Sequence, residues 1–239
     1  MNTAIVPGNQ DTTLPPLYKF LRADGSAPTG SGRYTRGRWR SVRGVLVPCE
    51  NGLHATTADN LVPHINEALW RVEIDGEYVW HDDASMGRKL VARRMRAIER
   101  VAAWDERTAR LFAVECAERV LPIFEREHPN DCRPREALAV ARRFADGQAT
   151  REELDAACDA ARDAAWDAAR DAARAAVWAA ARDAVWAAVW AAVWAAARAA
   201  AWDAARAAAR AAVWAAARAA ERQWQNRRLA EMLGLAVAS

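Results

Sequence analysis

Cysteine, tyrosine and phenylalanine are scarce in this chain: four, three and four respectively in 239 residues. Cys49, Cys116, Cys132 and Cys158 lie far apart, with no C-x2-C spacing of the metal-site kind. Their distribution is that of free thiols in a reducing cytoplasm. Proline is absent after Pro134, and glycine is absent between Gly147 and Gly234. Charge of one sign is absent too: 34 basic against 31 acidic side chains leave a net +3, too mild to imply nucleic acid by itself. Charged residues recur too often for a membrane-spanning apolar run. The N-terminus has no basic segment followed by a long apolar stretch, so no secretory leader is expected and a cytoplasmic location is.

Tryptophan is what the chain has instead, with twelve. So much apolar area calls for burial in the fold or at an interface. Most of it lies in a tract of sixteen uninterrupted tetrads from Asp155 to Arg218, each Asp/Ala-Ala-Ala/Val followed by Arg or Trp, with Cys158 the one exception. Ala is the best helix former, and nothing in the tract breaks a helix. Thr150 and Glu153 form a capping box at its start. Gly234 marks its end. At about 100° per residue, each tetrad overshoots a full turn by about 40°, so the Trp/Arg position winds around the helix. Two architectures follow. One is several packed helices, each capped at an Asp such as Asp163, Asp167 or Asp183. The other is one very long helix with a winding seam. Trp178, Trp186, Trp190, Trp194, Trp202 and Trp214 are the candidate interface residues, facing a partner or a second copy of the chain. Asp159–Arg162, Asp167–Arg170, Asp171–Arg174 and Asp203–Arg206 are i, i+3 ion pairs.

The chain divides by pattern into a flexible arm (1–16), a β-containing domain (17–100), a connecting helix (101–129) and an Ala/Trp/Arg-rich helical domain (130–239). The expected class is α+β, predominantly α. Leu17–Leu21 reads as a strand. Ala68–Ile74, Asp75-Gly76 and Glu77–Trp80 read as a hairpin. The basic run 88–100 is strand or helix. Glu106–Ile123 is a helix that Pro122 ends or kinks. Pro134 opens another, closed by Asp146-Gly147.

Candidate chemistry is thin. Cys49 and His54 are close enough in sequence to share a pocket, and such a pair can form a nucleophile. His64 and His81 could add base or ligand character, and Asp82-Asp83 could hold a cation. Asn51-Gly52, however, is equally a plain turn, and no metal template fits. No catalytic residue, metal or cofactor is assigned. Arg33, Arg36, Arg38, Trp39 and Arg40, with the basic run 88–100, are the nucleic-acid alternative. An enzyme centred on Cys49 and His54 is the other.

Two stretches resemble known families. Asp131-Cys132-Arg133-Pro134-Arg135-Glu136-Ala137-Leu138, then Ala141-Arg142-Arg143-Phe144-Ala145-Asp146-Gly147 and the helical tract, resemble bacterial immunity proteins of polymorphic toxin systems. That resemblance implies a cytoplasmic helical protein that neutralises a toxin by binding it, without enzymatic activity. Cys49-x-x-Gly52-Leu53-His54-Ala55, with the strands around it, resembles an actinobacterial and phage domain of unknown function. Many relatives carry a second cysteine just beyond this element. Thr56 and Thr57 stand there instead, against any role that needs two thiols.

Overall fold

The computed structural model describes residues 5–6, 14–29, 32–83, 86–167, 170 and 217–236. The architecture is mixed α+β with helix predominating, as the sequence pattern indicates. Two compact units make it up: Met1–Phe112 with Arg222–Ser239, and Ala113–Glu221.

The first unit is built on a long antiparallel ribbon. Strands β1 (Ile5–Val6), β2 (Leu17–Leu21), β3 (Arg40–Ser41) and β4 (Leu53–Ala55) are short, whereas β5 (Ala68–Asp83) and β6 (Gly87–Arg100) are long. β1 and β2 pair with β5; β3 and β4 pair with β6. Yet Tyr18, within β2, and Thr56, just past β4, exchange both backbone hydrogen bonds at 2.7 and 2.8 Å. Strands on opposite edges of the ribbon therefore meet, and the sheet curls closed around its core. Leu17, Leu21, Leu53, Leu90 and Met95 fill that core.

The expected hairpin at Asp75-Gly76 is not one. β5 runs straight through it, and the register slips there: Asp75 faces Arg94, while Tyr78 faces Ala92. Gly76 and Glu77 thus oppose one residue, Arg93. Gly76 has φ +76°, the left-handed conformation of a glycine bulge. An Asp-Gly pair supplies a left-handed residue for a turn or a bulge equally well, and here the long partner strand decides for the bulge.

The basic run is strand β6, and its charges are matched by acids of β5. Arg88 pairs with Asp82, Arg93 with Glu77, Arg94 with Asp75 and Arg96 with Glu73. Cross-strand ion pairs of this kind add to register.

β2 is buried on both faces. Alternation sends Leu17, Lys19 and Leu21 to one side and Tyr18 and Phe20 to the other. Phe20 packs edge-on against Trp104, centroids 5.5 Å apart. Trp104 is buried, and its Nε1–H donates to the Asn66 carbonyl at 2.8 Å. Leu229, Ala230 and Leu233 are buried in the C-terminal helix (217–232), and buried Asn226 accepts from the Val62 N–H at 2.7 Å. Gly234 ends that helix as expected: its N–H bonds Glu231 O, and the Leu235 N–H reaches back to Ala230 O.

The second unit is helical. α1 (Glu106–Glu127), shared by sequence between the units, continues through Pro122 rather than stopping there. α2 (Arg133–Ala145) carries Pro134 in its first turn and stops at Gly147 with the same pattern of hydrogen bonds. α3 (151–167) starts at the expected capping box. The Thr150 N–H donates to Glu153 Oε2 at 2.7 Å, and the Glu153 N–H donates to Thr150 Oγ1 at 3.2 Å. The helices are tied by ion pairs: Arg142 to Glu118, Arg135 in a two-toothed grip on Glu125, and Arg133 to Asp131 and Asp167. Asp159–Arg162 and Asp167–Arg170 are present at 2.5 and 3.9 Å. The remaining i, i+3 pairs, Trp178, Trp186, Trp190, Trp194, Trp202 and Trp214, and the choice between packed helices and one long helix lie outside the described residues. Among the described residues, no helix is long and apolar enough to cross a membrane.

Candidate functional site

A cavity of about 700 Å³ opens in the first unit, between β2, β4, the loop around Cys49 and the start of β6. It gathers Cys49 and His54, the pair singled out from sequence, but their contact is not that of a nucleophile and its base. The Cys49 backbone N–H, not the thiol, donates to His54 Nε2 at 3.2 Å. Cys49 holds φ +70°, unusual for a residue with a side chain. Gly52 lets this loop lie against β6, because a Cβ there would stand 2.1 Å from Val91 Cγ1.

The Cys49 thiol meets Lys89 instead. Lys89 Nζ donates to Cys49 Sγ at 3.1 Å and pairs with Asp83 Oδ2 at 3.5 Å. Cys49, His81 and Asp83 offer three donor atoms within 4.8 Å of one another. Donors around a tetrahedral zinc would stand closer together, about 3.5 Å apart. The Lys89 ammonium already lies within reach of two of the three. As it stands the set is a lysine-centred cluster, and a metal would require Lys89 to swing away. Sequence spacing missed the grouping because Cys49 sits on a loop and the other two donors on β5. Its one local signal is His81-x-Asp83, which a strand places on a single face.

Lys19 went unremarked in sequence and proves central. Its Nζ donates to the His54 carbonyl at 2.7 Å and lies 5.4 Å from the centre of the Tyr34 ring, with the Arg40 guanidinium also over that ring at 4.8 Å. Burial, then Arg40, push the Lys19 ammonium down to about 8. Burial pushes the Tyr34 hydroxyl up to about 12. His54 is driven down to about 4 by burial and by neighbouring Lys19, Lys89, His64 and His81. The bond its Nε2 accepts also requires a neutral ring. His64 falls to about 4 through burial, Lys89 and Lys19, with Asp83 opposing. Its Nε2 is buried and has no hydrogen-bond partner among the described residues.

The nucleic-acid candidates fold back on the protein. Arg33 Nε donates to Asp24 O, Arg36 Nε to Ile98 O and Arg40 Nη1 to Arg33 O. Trp39 lies beneath Arg94 and Arg96, at 5.0 and 4.6 Å. Arg38 is exposed, with its backbone N–H on Thr35 O. Arg33 and Arg36 are exposed too, and the β6 arginines Arg88, Arg93, Arg94 and Arg96 pair with acids of β5.

A curled sheet with a cationic cavity and a set of helices cross-tied through arginine make a two-unit α+β protein. Residues 100–232 match the family described as Imm-5 like putative immunity protein. The match takes in more than half of the 239 residues, and the chain belongs to that family. It begins after the Cys49–Ala55 element, so it carries nothing about the cavity. No curated protein and no solved structure matches the chain.

Proposed function

We propose that the chain is a non-enzymatic immunity protein that neutralises a toxin by binding it. Family membership over residues 100–232 carries this reading. A second observation supports it. Within that segment Val120 and Ile123 stand exposed at 47% and 61%, three residues apart and so on one face of α1, and Trp166 on α3 is 65% exposed. Large apolar side chains left in water are the usual anchors of a protein interface. Trp178, Trp186, Trp190, Trp194, Trp202 and Trp214 are proposed as further anchors, for the toxin or for a second copy of the chain. The cytoplasm is the proposed compartment, where the toxin would act.

The test is tagged capture from the native host at physiological salt, with a nuclease-treated arm. The expected result is a stoichiometric protein that survives nuclease, arrests growth when expressed alone, and is relieved by co-expression of this chain. Ile123→Asp and Trp166→Ala should weaken capture while leaving the fold intact. Recovery of nucleic acid alone, or of a partner lost with nuclease, overturns the reading in favour of a nucleic-acid-binding module.

A further inference from the structure

Lysine is nearly missing from this chain. Of the 34 Lys and Arg side chains, two are lysine, Lys19 and Lys89, and all the others are arginine. Both lysines line the cavity of the sheet unit. Elsewhere, in the sheet and between the helices, ion pairs are made with arginine. Arginine supplies charge and a fork of donors, but a free amine is something only lysine can offer. We propose that the cavity binds a small aldehyde or ketone covalently and reversibly, as an imine on Lys19.

The two lysines are held differently. Lys89 Nζ donates to Cys49 Sγ at 3.1 Å and faces the Asp83 carboxylate at 3.5 Å, so its protonated form is the one the protein answers. Lys19 has no carboxylate partner among the described residues. Its Nζ meets one oxygen, the His54 carbonyl at 2.7 Å, and lies 5.4 Å from the centre of the Tyr34 ring. An ammonium has three donors to place. A neutral amine gives that oxygen one N–H and keeps its lone pair. Strand alternation turns Lys19 to the same side of β2 as the core residues Leu17 and Leu21, where a charge is costly. The Arg40 guanidinium lies 4.8 Å from the same ring, and a like charge nearby also favours the neutral amine. Burial first and Arg40 second bring Lys19 down to about 8, from 10.5 for an ordinary lysine. A lysine desolvated beside another cation is an activated amine nucleophile. The cavity, at about 700 Å³, admits a small molecule beside it. His64 Nε2, buried and with no hydrogen-bond partner among the described residues, adds an unmet polar atom to a residue of the same lining. In the step itself, the Lys19 lone pair bonds the carbonyl carbon, and the carbonyl oxygen takes up a proton as the nitrogen gives one up. The second N–H proton then leaves with that hydroxyl as water, and the C=N bond closes. Nothing is oxidised or reduced, and water reverses the reaction.

The experiment equilibrates the full chain with propanal or with pyruvate and quenches with sodium borohydride, which reduces an imine to a stable secondary amine. Mass spectrometry of the peptides then reads each lysine separately, so Lys89 is an internal reference in the same unaltered protein. The expected result is labelling of Lys19 that saturates with probe concentration and exceeds that of Lys89 by about tenfold or more. Labelling of Lys19 should rise with pH and level off above about 8, as the amine loses its proton. Propanal against pyruvate shows whether the site takes a neutral or an acidic carbonyl compound. Equal labelling of the two lysines overturns the proposal, as does labelling of Lys19 that grows linearly with the probe, or none with either probe. None of these outcomes bears on toxin neutralisation, whose evidence lies outside the cavity.

Discussion

The curled sheet and the alanine-rich helix α3 obtain their order from opposite sources. In the sheet, Leu21, Leu69, Leu90 and Met95 are completely buried, and each strand is fixed by what it touches far away in sequence. Over 151–167 only Ala164 is buried, and Trp166 faces solvent. That helix is specified locally, by alanine propensity, its capping box and i, i+3 ion pairs. The interhelical arginine pairs of the second unit are largely exposed, and pairs of that kind contribute about 0–1 kcal/mol each. A varied sequence with unique large residues specifies one register. A tetrad repeat offers the same side-chain class at each step and leaves register to other constraints.

The sharpest way to break this contrast is to remove one tryptophan from each region. Trp104→Ala takes away a buried ring, its contact with Phe20 and its bond to Asn66, and should destabilise by about 3–5 kcal/mol. Trp166→Ala should stay within about 0.5 kcal/mol of wild type. Urea denaturation measures both, and equal losses would mean the two regions are not differently built. Gly52→Ala comes next. Its methyl would meet Val91 Cγ1, and overpacking of this sort costs about 1–3 kcal/mol. Asn226→Ala leaves the Val62 N–H without its acceptor and should cost about 1–3 kcal/mol, read as an earlier unfolding midpoint of the sheet unit.

Acid should separate the regions without any substitution. His54 and His64 titrate near 4 in the folded protein against an ordinary 6.5. Between those values the unfolded chain binds protons that the folded chain does not. Stability is therefore greatest above about pH 6.5 and falls as pH drops toward 4. The half-buried His54 and His64 reside in the sheet unit, so near-ultraviolet signals from Trp104 should soften first while helical far-ultraviolet signal persists. Replacing both histidines with Gln should flatten the slope. An unchanged slope would assign the acid sensitivity elsewhere.

What could be read from sequence follows the same division. Strand β2, the start of α2 at Pro134, the capping box and the stops at Gly147 and Gly234 depend on neighbours within a few residues, and each is where the pattern put it. The long β5–β6 ribbon was split into a shorter hairpin because Asp75-Gly76 is a turn signal whose outcome is set by β6, not by the dipeptide. The cavity was only partly visible. Cys49, His54 and the histidines drew attention as reactive types, but Lys89 lies forty residues from Cys49 and looks like any member of a basic run. Lys19 carried a usable clue: it sits between Leu17 and Leu21 on one face of a strand buried on both sides. No pattern in sequence announces that Asn226 reaches Val62.

A smaller loss, at the cap of α3, probes the helical side of the contrast most directly. Thr150→Ala removes the hydroxyl that accepts from the Glu153 N–H and leaves the reciprocal bond from the Thr150 N–H to Glu153 in place. Loss of a capping hydroxyl costs about 1 kcal/mol. A helix held by local order should respond locally. Amide hydrogen exchange should quicken over the first turns of α3, from Arg151 to about Asp155, with exchange at Leu69, Leu90 and Met95 unchanged. If protection fell equally across the β5–β6 ribbon, the start of α3 would be coupled to the sheet core, and the contrast between a locally specified helix and a globally specified sheet would not hold.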